Sequence, residues 1–107
     1  MAIREITPTQ LKKLFDEKTD FQLIDVREPD EHAFCNIGGE LIPLGTVLPN
    51  AEKISKEKTV VIYCRSGRRS GEIIDQLQNK YGFVNLYNLA GGILAWSDEV
   101  DSSVPKY

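Results

Sequence analysis

Histidine occurs once in these 107 residues, tryptophan once and cysteine twice. Two cysteines do not make a disulfide framework, so no covalent staple is expected. Both thiols read as reduced, as in a cytoplasmic protein. No apolar run approaches the length of a membrane span. The opening residues Met1-Ala2-Ile3-Arg4-Glu5 hold no apolar segment of the kind a secretory leader carries. Positive charge is also short. Thirteen Lys and Arg stand against sixteen Asp and Glu, a net charge of -3. Neither a membrane nor a nucleic acid is therefore expected as a partner, since the latter wants a broad basic face. Repeats, low-complexity tracts and linkers are missing too. With a hydrophobic share of 41%, the chain reads as one domain over 1–107, with a core from about 3 to 100 and a short C-terminal tail.

The scarce cysteine sits in the most informative stretch, Thr59 to Leu77. The apolar run Val60-Val61-Ile62-Tyr63 stops at Cys64. A polar loop follows, Arg65-Ser66-Gly67-Arg68-Arg69-Ser70, and then Ile73, Ile74 and Leu77 recur at helical spacing. The pattern is buried strand, tight loop, helix. In an open α/β sheet, ligands bind at the carboxyl ends of the strands, where this cysteine lies. Loop N–H groups and a helix N-terminus supply positive potential, and Arg65, Arg68 and Arg69 add fixed charge. All of these favour thiolate over thiol. Gly67 lets the loop adopt positive φ and bring its backbone close to an anionic adduct, whether persulfide, phosphate or arsenate.

The rest of the chain supplies a frame. Residues 2–6 suggest a first strand. Thr7-Pro8-Thr9-Gln10 reads as a capping box opening a helix whose apolar face is Leu11, Leu14 and Phe15. Phe21 to Val26 is a second strand, with Asp25, Arg27 and Glu28 clustered at its carboxyl end. Pro29 to Phe34 is a short helix carrying His32, read as a surface residue rather than a general base. Leu41 to Pro43 is a short strand. Asn50 is expected to cap a helix over 51–56. Phe83 to Tyr87 is the last strand, and Gly91-Gly92 turns into a helix with Trp96 as a core anchor. Alternating strands and helices argue for a parallel sheet covered on both faces.

The loop Cys64 to Ser70 resembles the active-site loop of single-domain rhodanese-like sulfurtransferases. So do Leu23-Ile24-Asp25-Val26-Arg27-Glu28, Ile42-Pro43-Leu44 and Leu89-Ala90-Gly91-Gly92-Ile93-Leu94-Ala95-Trp96, in the family's order. The resemblance implies a central five-stranded parallel sheet with helices on both faces. It implies sulfur transfer through a Cys64 persulfide, with no metal and no cofactor. The partners implied are a small anionic sulfur donor, such as thiosulfate or another persulfide donor, and a thiol or sulfur-acceptor protein. Arg65, Ser66, Gly67, Arg68, Arg69 and Ser70 would hold the donor, with Arg65 and Arg69 its main contacts. Asp25 and Arg27 would be scaffold beside the pocket. Cys35 is a candidate resolving thiol. Its loop, Cys35-Asn36-Ile37-Gly38-Gly39-Glu40, departs from the family's usual glycine, histidine, apolar residue, proline, glycine, alanine at Cys35, Asn36, Gly38 and Glu40.

Two alternatives stand beside sulfur transfer. One is a non-enzymatic sulfur-carrier or regulatory module, although such modules typically lack the cysteine. The other is a cysteine phosphatase or arsenate reductase. Phosphatases of this kind need an arginine six places after the cysteine to fork onto phosphoryl oxygens. Ser70 occupies that place, and Arg69 one place earlier is turned by about 100° on a helix.

Overall fold

The computed structural model describes residues 2–107. Five parallel strands lie in the order β1-β5-β4-β2-β3: β1 Glu5–Ile6, β2 Phe21–Asp25, β3 Glu40–Leu41, β4 Thr59–Tyr63 and β5 Leu86–Leu89. The helices are α1 Pro8–Asp16, α2 Pro29–Phe34, α3 Arg68–Tyr81 and α4 Gly92–Glu99. β4 is central because its run of β-branched residues tolerates burial on both faces. Val60, Val61, Ile62 and Tyr63 are all fully buried.

Alternation along β4 divides the core in two. Val60, Ile62 and Cys64 pack with Ile73, Ile74 and Leu77 of α3. Val61 and Tyr63 face the other way, with Leu11 of α1 and Ile93 and Trp96 of α4. The sheet is thus covered on both faces, as its alternating pattern implied.

The capping box at α1 forms as read. The Thr7 hydroxyl accepts from the Gln10 N–H at 3.1 Å, and the Gln10 side chain accepts from the Thr7 N–H at 2.9 Å. Several boundaries move: the first strand is only Glu5–Ile6 and the second ends at Asp25. The third strand is Glu40–Leu41. It stops before Pro43, which has no N–H for a ladder. The α-helix expected over 51–56 does not form. The chain makes 3₁₀ turns over Leu44–Thr46 and Leu48–Lys53. The Asn50 amide donates backward to the Thr46 carbonyl at 2.8 Å and closes the preceding turn instead of capping a new helix. The last strand starts at Leu86 instead of Phe83. Gly82 ends α3 at φ +70°, Phe83 plugs the core, and Asn85 ties to the Ser55 and Lys58 carbonyls before pairing begins.

The tail is not loose. The Ser97 hydroxyl donates to the Val104 carbonyl at 2.6 Å. Val104 and Tyr107 pack against the α1/α4 side of the core. The last residues run back to the carboxyl end of the sheet.

Candidate active site at the end of strand β4

Cys64 stands directly after β4, and α3 starts four residues later. The chain must reverse sharply in between, and Gly67 does this at φ +97°, a conformation that costs an L side chain about 1–2 kcal/mol. The reversal aims main-chain N–H groups at the sulfur. The Gly67 N–H donates to Cys64 Sγ at 3.1 Å and the Ser70 N–H at 3.5 Å. The Ser70 hydroxyl lies 3.3 Å away. Cys64 is only 1% exposed, so a reactant must enter the loop to meet it.

The loop is fixed from behind by β5 and α4. Gly92, at φ +63°, presses against the Cys64 and Arg65 carbonyls so closely that any Cβ there would collide with both. The next two N–H groups use that contact. Ile93 donates to the Cys64 carbonyl at 2.9 Å and Leu94 to the Arg65 carbonyl at 3.1 Å. Asn88 fixes the other side. Its Nδ2 donates to the Gly67 carbonyl at 2.9 Å, and its Oδ1 accepts from the Ser70 hydroxyl at 2.5 Å. A buried amide thereby fixes Gly67 and Ser70, the two residues whose main-chain N–H groups donate to the sulfur. Sequence reasoning missed Asn88. Its signal is a polar residue inside the apolar strand Leu86-Tyr87-Asn88-Leu89.

The three loop arginines take different partners. Arg69 forks onto Glu31 of α2, with Nη1 to Oε1 at 2.8 Å and Nη2 to Oε2 at 2.9 Å. Arg65 donates from Nε and Nη2 to the Tyr107 main-chain oxygen and lies 5.2 Å from the centre of its ring. Arg68 points to solvent, its side chain 87% exposed and 3.6 Å from Glu72. Ser66 is exposed. Arg65 and Arg69, the expected main contacts of a donor, thus each meet an acceptor of their own chain. Glu31 and Tyr107 are the partners that sequence reasoning missed.

Asp25 and Arg27 form a fully buried pair beneath this mouth. Arg27 donates from Nε to Oδ1 at 3.0 Å and from Nη2 to Oδ2 at 2.8 Å. Its remaining donors reach the Cys35 carbonyl at 2.7 Å and the Tyr107 hydroxyl at 2.8 Å. Burial opposes the Arg27 charge, but the hydrogen bonds to Asp25 and Tyr107 outweigh it and hold the guanidinium more firmly protonated than usual. His32 is not a plain surface residue. Its Nδ1 lies 2.8 Å from Asp25 Oδ2 and its side chain is 26% exposed.

Cys35 does not join the site. It packs in the core beside Tyr63, on the face opposite to Cys64, and its sulfur donates to the Pro105 carbonyl at 3.5 Å. Both cysteines are free thiols. Strand alternation separates them, which loop order alone does not reveal.

The model of the family described as Rhodanese-like domain matches residues 7–99. The chain is a rhodanese-like domain. It is 35% identical over 96 residues to a sulfurtransferase of Allochromatium vinosum, covering 89% of each chain. It is 42% identical over 91 residues to the Rhodanese-like/PpiC domain-containing protein 12, chloroplastic, of Arabidopsis thaliana, where the match spans 80% of this chain and 30% of that protein. The chain thus spans less than a third of that longer relative. Among solved structures, a rhodanese-like domain protein from Staphylococcus aureus superposes with a TM-score of 0.81 at 29% identity, covering 98% of this chain and 99% of that one.

Within this rhodanese-like domain, the unusual segment Cys35 to Glu40 is closed by its own side chain. The Asn36 Oδ1 accepts from the Gly38 N–H at 2.9 Å, an Asx turn, while Nδ2 donates to the His32 carbonyl at 3.0 Å. Gly38 and Gly39 follow at φ +96° and +89°, and a side chain on Gly39 would strike the Leu23 backbone. The Tyr63 hydroxyl then donates to the Gly38 carbonyl at 2.9 Å. The segment is thereby tied back to α2 at His32 and to β4 at Tyr63.

Proposed function

We propose that Cys64 is the nucleophile of a sulfurtransferase and carries the sulfur as a persulfide. The observation that supports this reading is the pair of main-chain N–H groups, of Gly67 and Ser70, focused on one sulfur atom. Donors aimed at a sulfur stabilise negative charge on it, first as thiolate and then on the adduct, as an oxyanion hole does for oxygen. The thiolate attacks the sulfane sulfur of thiosulfate or a persulfide. The donor's S–S bond breaks, and sulfite or a thiolate leaves with the electron pair. Cys64 then holds one extra sulfur. A thiophilic acceptor, a thiol or a sulfur-acceptor protein, attacks that sulfur and restores the thiolate.

Phosphoryl transfer finds less support. Six places after the cysteine stands Ser70, whose hydroxyl faces Sγ, and the fork of Arg69 is turned onto Glu31. No guanidinium is free to clamp a phosphoryl group above the sulfur.

Intact mass spectrometry tests the reading. Incubation with thiosulfate or a small persulfide should add one sulfur atom to the chain, and cyanide or dithiothreitol should remove it. Cys64→Ser should abolish loading and Cys35→Ser should leave it unchanged. A parent chain that stays unloaded by both donors yet hydrolyses para-nitrophenyl phosphate through Cys64 would overturn it.

A further inference from the structure

The sequence places three arginines around Cys64, but the charge they offer an incoming anion is smaller than three. Arg68 faces away, Arg65 lies on Tyr107, and Arg69 is forked onto Glu31. The last of these is a built contact. Glu31 Oε1 accepts from Arg69 Nη1 and from the Glu28 N–H at 3.0 Å. Its Oε2 accepts from Arg69 Nη2 and from the Tyr107 hydroxyl at 2.7 Å. Every lone-pair direction of the carboxylate has a donor, and the two side chains are only 17% and 31% exposed. The Arg69 hydrogen bonds hold Glu31 far below the usual carboxylate range, at about 2. The carboxylate is therefore charged at any physiological pH. Arg69 in turn is held protonated by its hydrogen bonds to Glu31. Glu31 and an anionic donor thus compete for one guanidinium.

We propose that Glu31 is a specificity-determining residue, an internal counter-anion that occupies Arg69 and disfavours doubly charged sulfur donors relative to singly charged persulfides. The proposal rests on the sulfurtransfer reading above and names its donor class. A bound dianion such as thiosulfate must share Arg69 with a carboxylate that cannot move away, since Glu31 also closes the first turn of α2. A persulfide of a neutral thiol brings less charge and meets less of this opposition. The chemistry is the same displacement. The singly charged donor R–S–S⁻ takes up one proton, Cys64 thiolate attacks its outer sulfur, the S–S bond breaks, R–S⁻ leaves with the electron pair, and Cys64 holds S–SH, with no oxidant or reductant consumed.

Glu31→Gln is the informative variant, because glutamine also serves a capping box and keeps an acceptor for the Glu28 N–H. In the parent, thiosulfate and the persulfide of N-acetylcysteamine are compared as donors. Glu31→Gln should lower the thiosulfate KM about five-fold and move the persulfide KM by less than about two-fold. Arg69→Ala should raise the thiosulfate KM about five-fold in the Glu31→Gln background, where the guanidinium is free to meet the donor. Calorimetry supplies an arm that needs no turnover. On Cys64→Ser, adding Glu31→Gln should tighten thiosulfate binding about five-fold. Equal shifts for both donors, or unchanged binding in the Cys64→Ser pair, overturn the role of Glu31 and leave sulfurtransfer intact. Failure of both donors to load the parent overturns sulfurtransfer, and the calorimetric pair still decides whether Glu31 competes with an anion.

Discussion

At the scale of the residue, the site depends on polar groups that have no access to water and so must satisfy one another. Asp25 and Arg27 are the extreme case, each with no exposed surface. Such a pair adds little over an apolar substitute, but breaking it strands a charge in the core. Asp25→Ala should therefore destabilise the fold by about 3–5 kcal/mol, read as a shift of the urea midpoint. Replacing Asp25 and Arg27 together by apolar residues should recover part of that loss. A single mutant within about 0.5 kcal/mol of the parent would mean that His32 or water takes over the pairing. Asn88 belongs to the same class, although its partners are loop groups and its loss would be felt at the sulfur.

At the scale of the element, β4, the loop and α3 do not form the cradle alone, because α4 wedges its first turn beneath the loop. Two glycines separate wedge from conformation. Gly92 and Gly82 both have positive φ, but a Cβ on Gly82 meets open space while one on Gly92 meets the loop carbonyls. Gly82→Ala should cost about 1 kcal/mol of backbone strain and leave sulfur loading at the parent rate. Gly92→Ala should cost more than about 2 kcal/mol and slow loading at least ten-fold, as the loop is pushed out of register. Equal stability losses with equal loading rates would show that the wedge does not position the loop. The strand, loop and helix around Cys64 were legible in the sequence because β-branched runs, glycine and helical spacing are local signals. The double glycine before α4 was legible as a close approach. What approached what was not, since Gly92 and Cys64 are 28 positions apart. The partners of Arg65 and Arg69 stayed hidden for the same reason. Nothing near the loop in sequence announces that α2 and the tail supply its acceptors, and nothing in the order of the loops reveals that Cys35 lies across the sheet.

At the scale of the whole molecule, α2, the loop and the tail are joined at one point by the Glu31, Arg69 and Tyr107 contacts. The join should be visible as a pH dependence of stability. The carboxylate of Glu31 is held down to about 2 from 4.5 by Arg69. A depressed carboxylate contributes fully above its unfolded value and loses that contribution as pH falls toward its folded value. Unfolding by urea should therefore show a loss on the order of 1–2 kcal/mol between about pH 4.5 and 2 that is missing from Glu31→Gln. Parallel pH profiles for parent and variant would exclude it. The cradle itself is of another kind. Its donors are backbone, set by the φ of one glycine and braced by main-chain N–H groups of α4 behind the loop. Backbone amides are present whatever side chains the loop bears. Arg65, Ser66, Arg68 and Arg69 can thus be exchanged without dismantling what holds the sulfur. The backbone that faces the sulfur and the side chains that surround it are separable parts of one loop, so the second can vary while the first stays untouched.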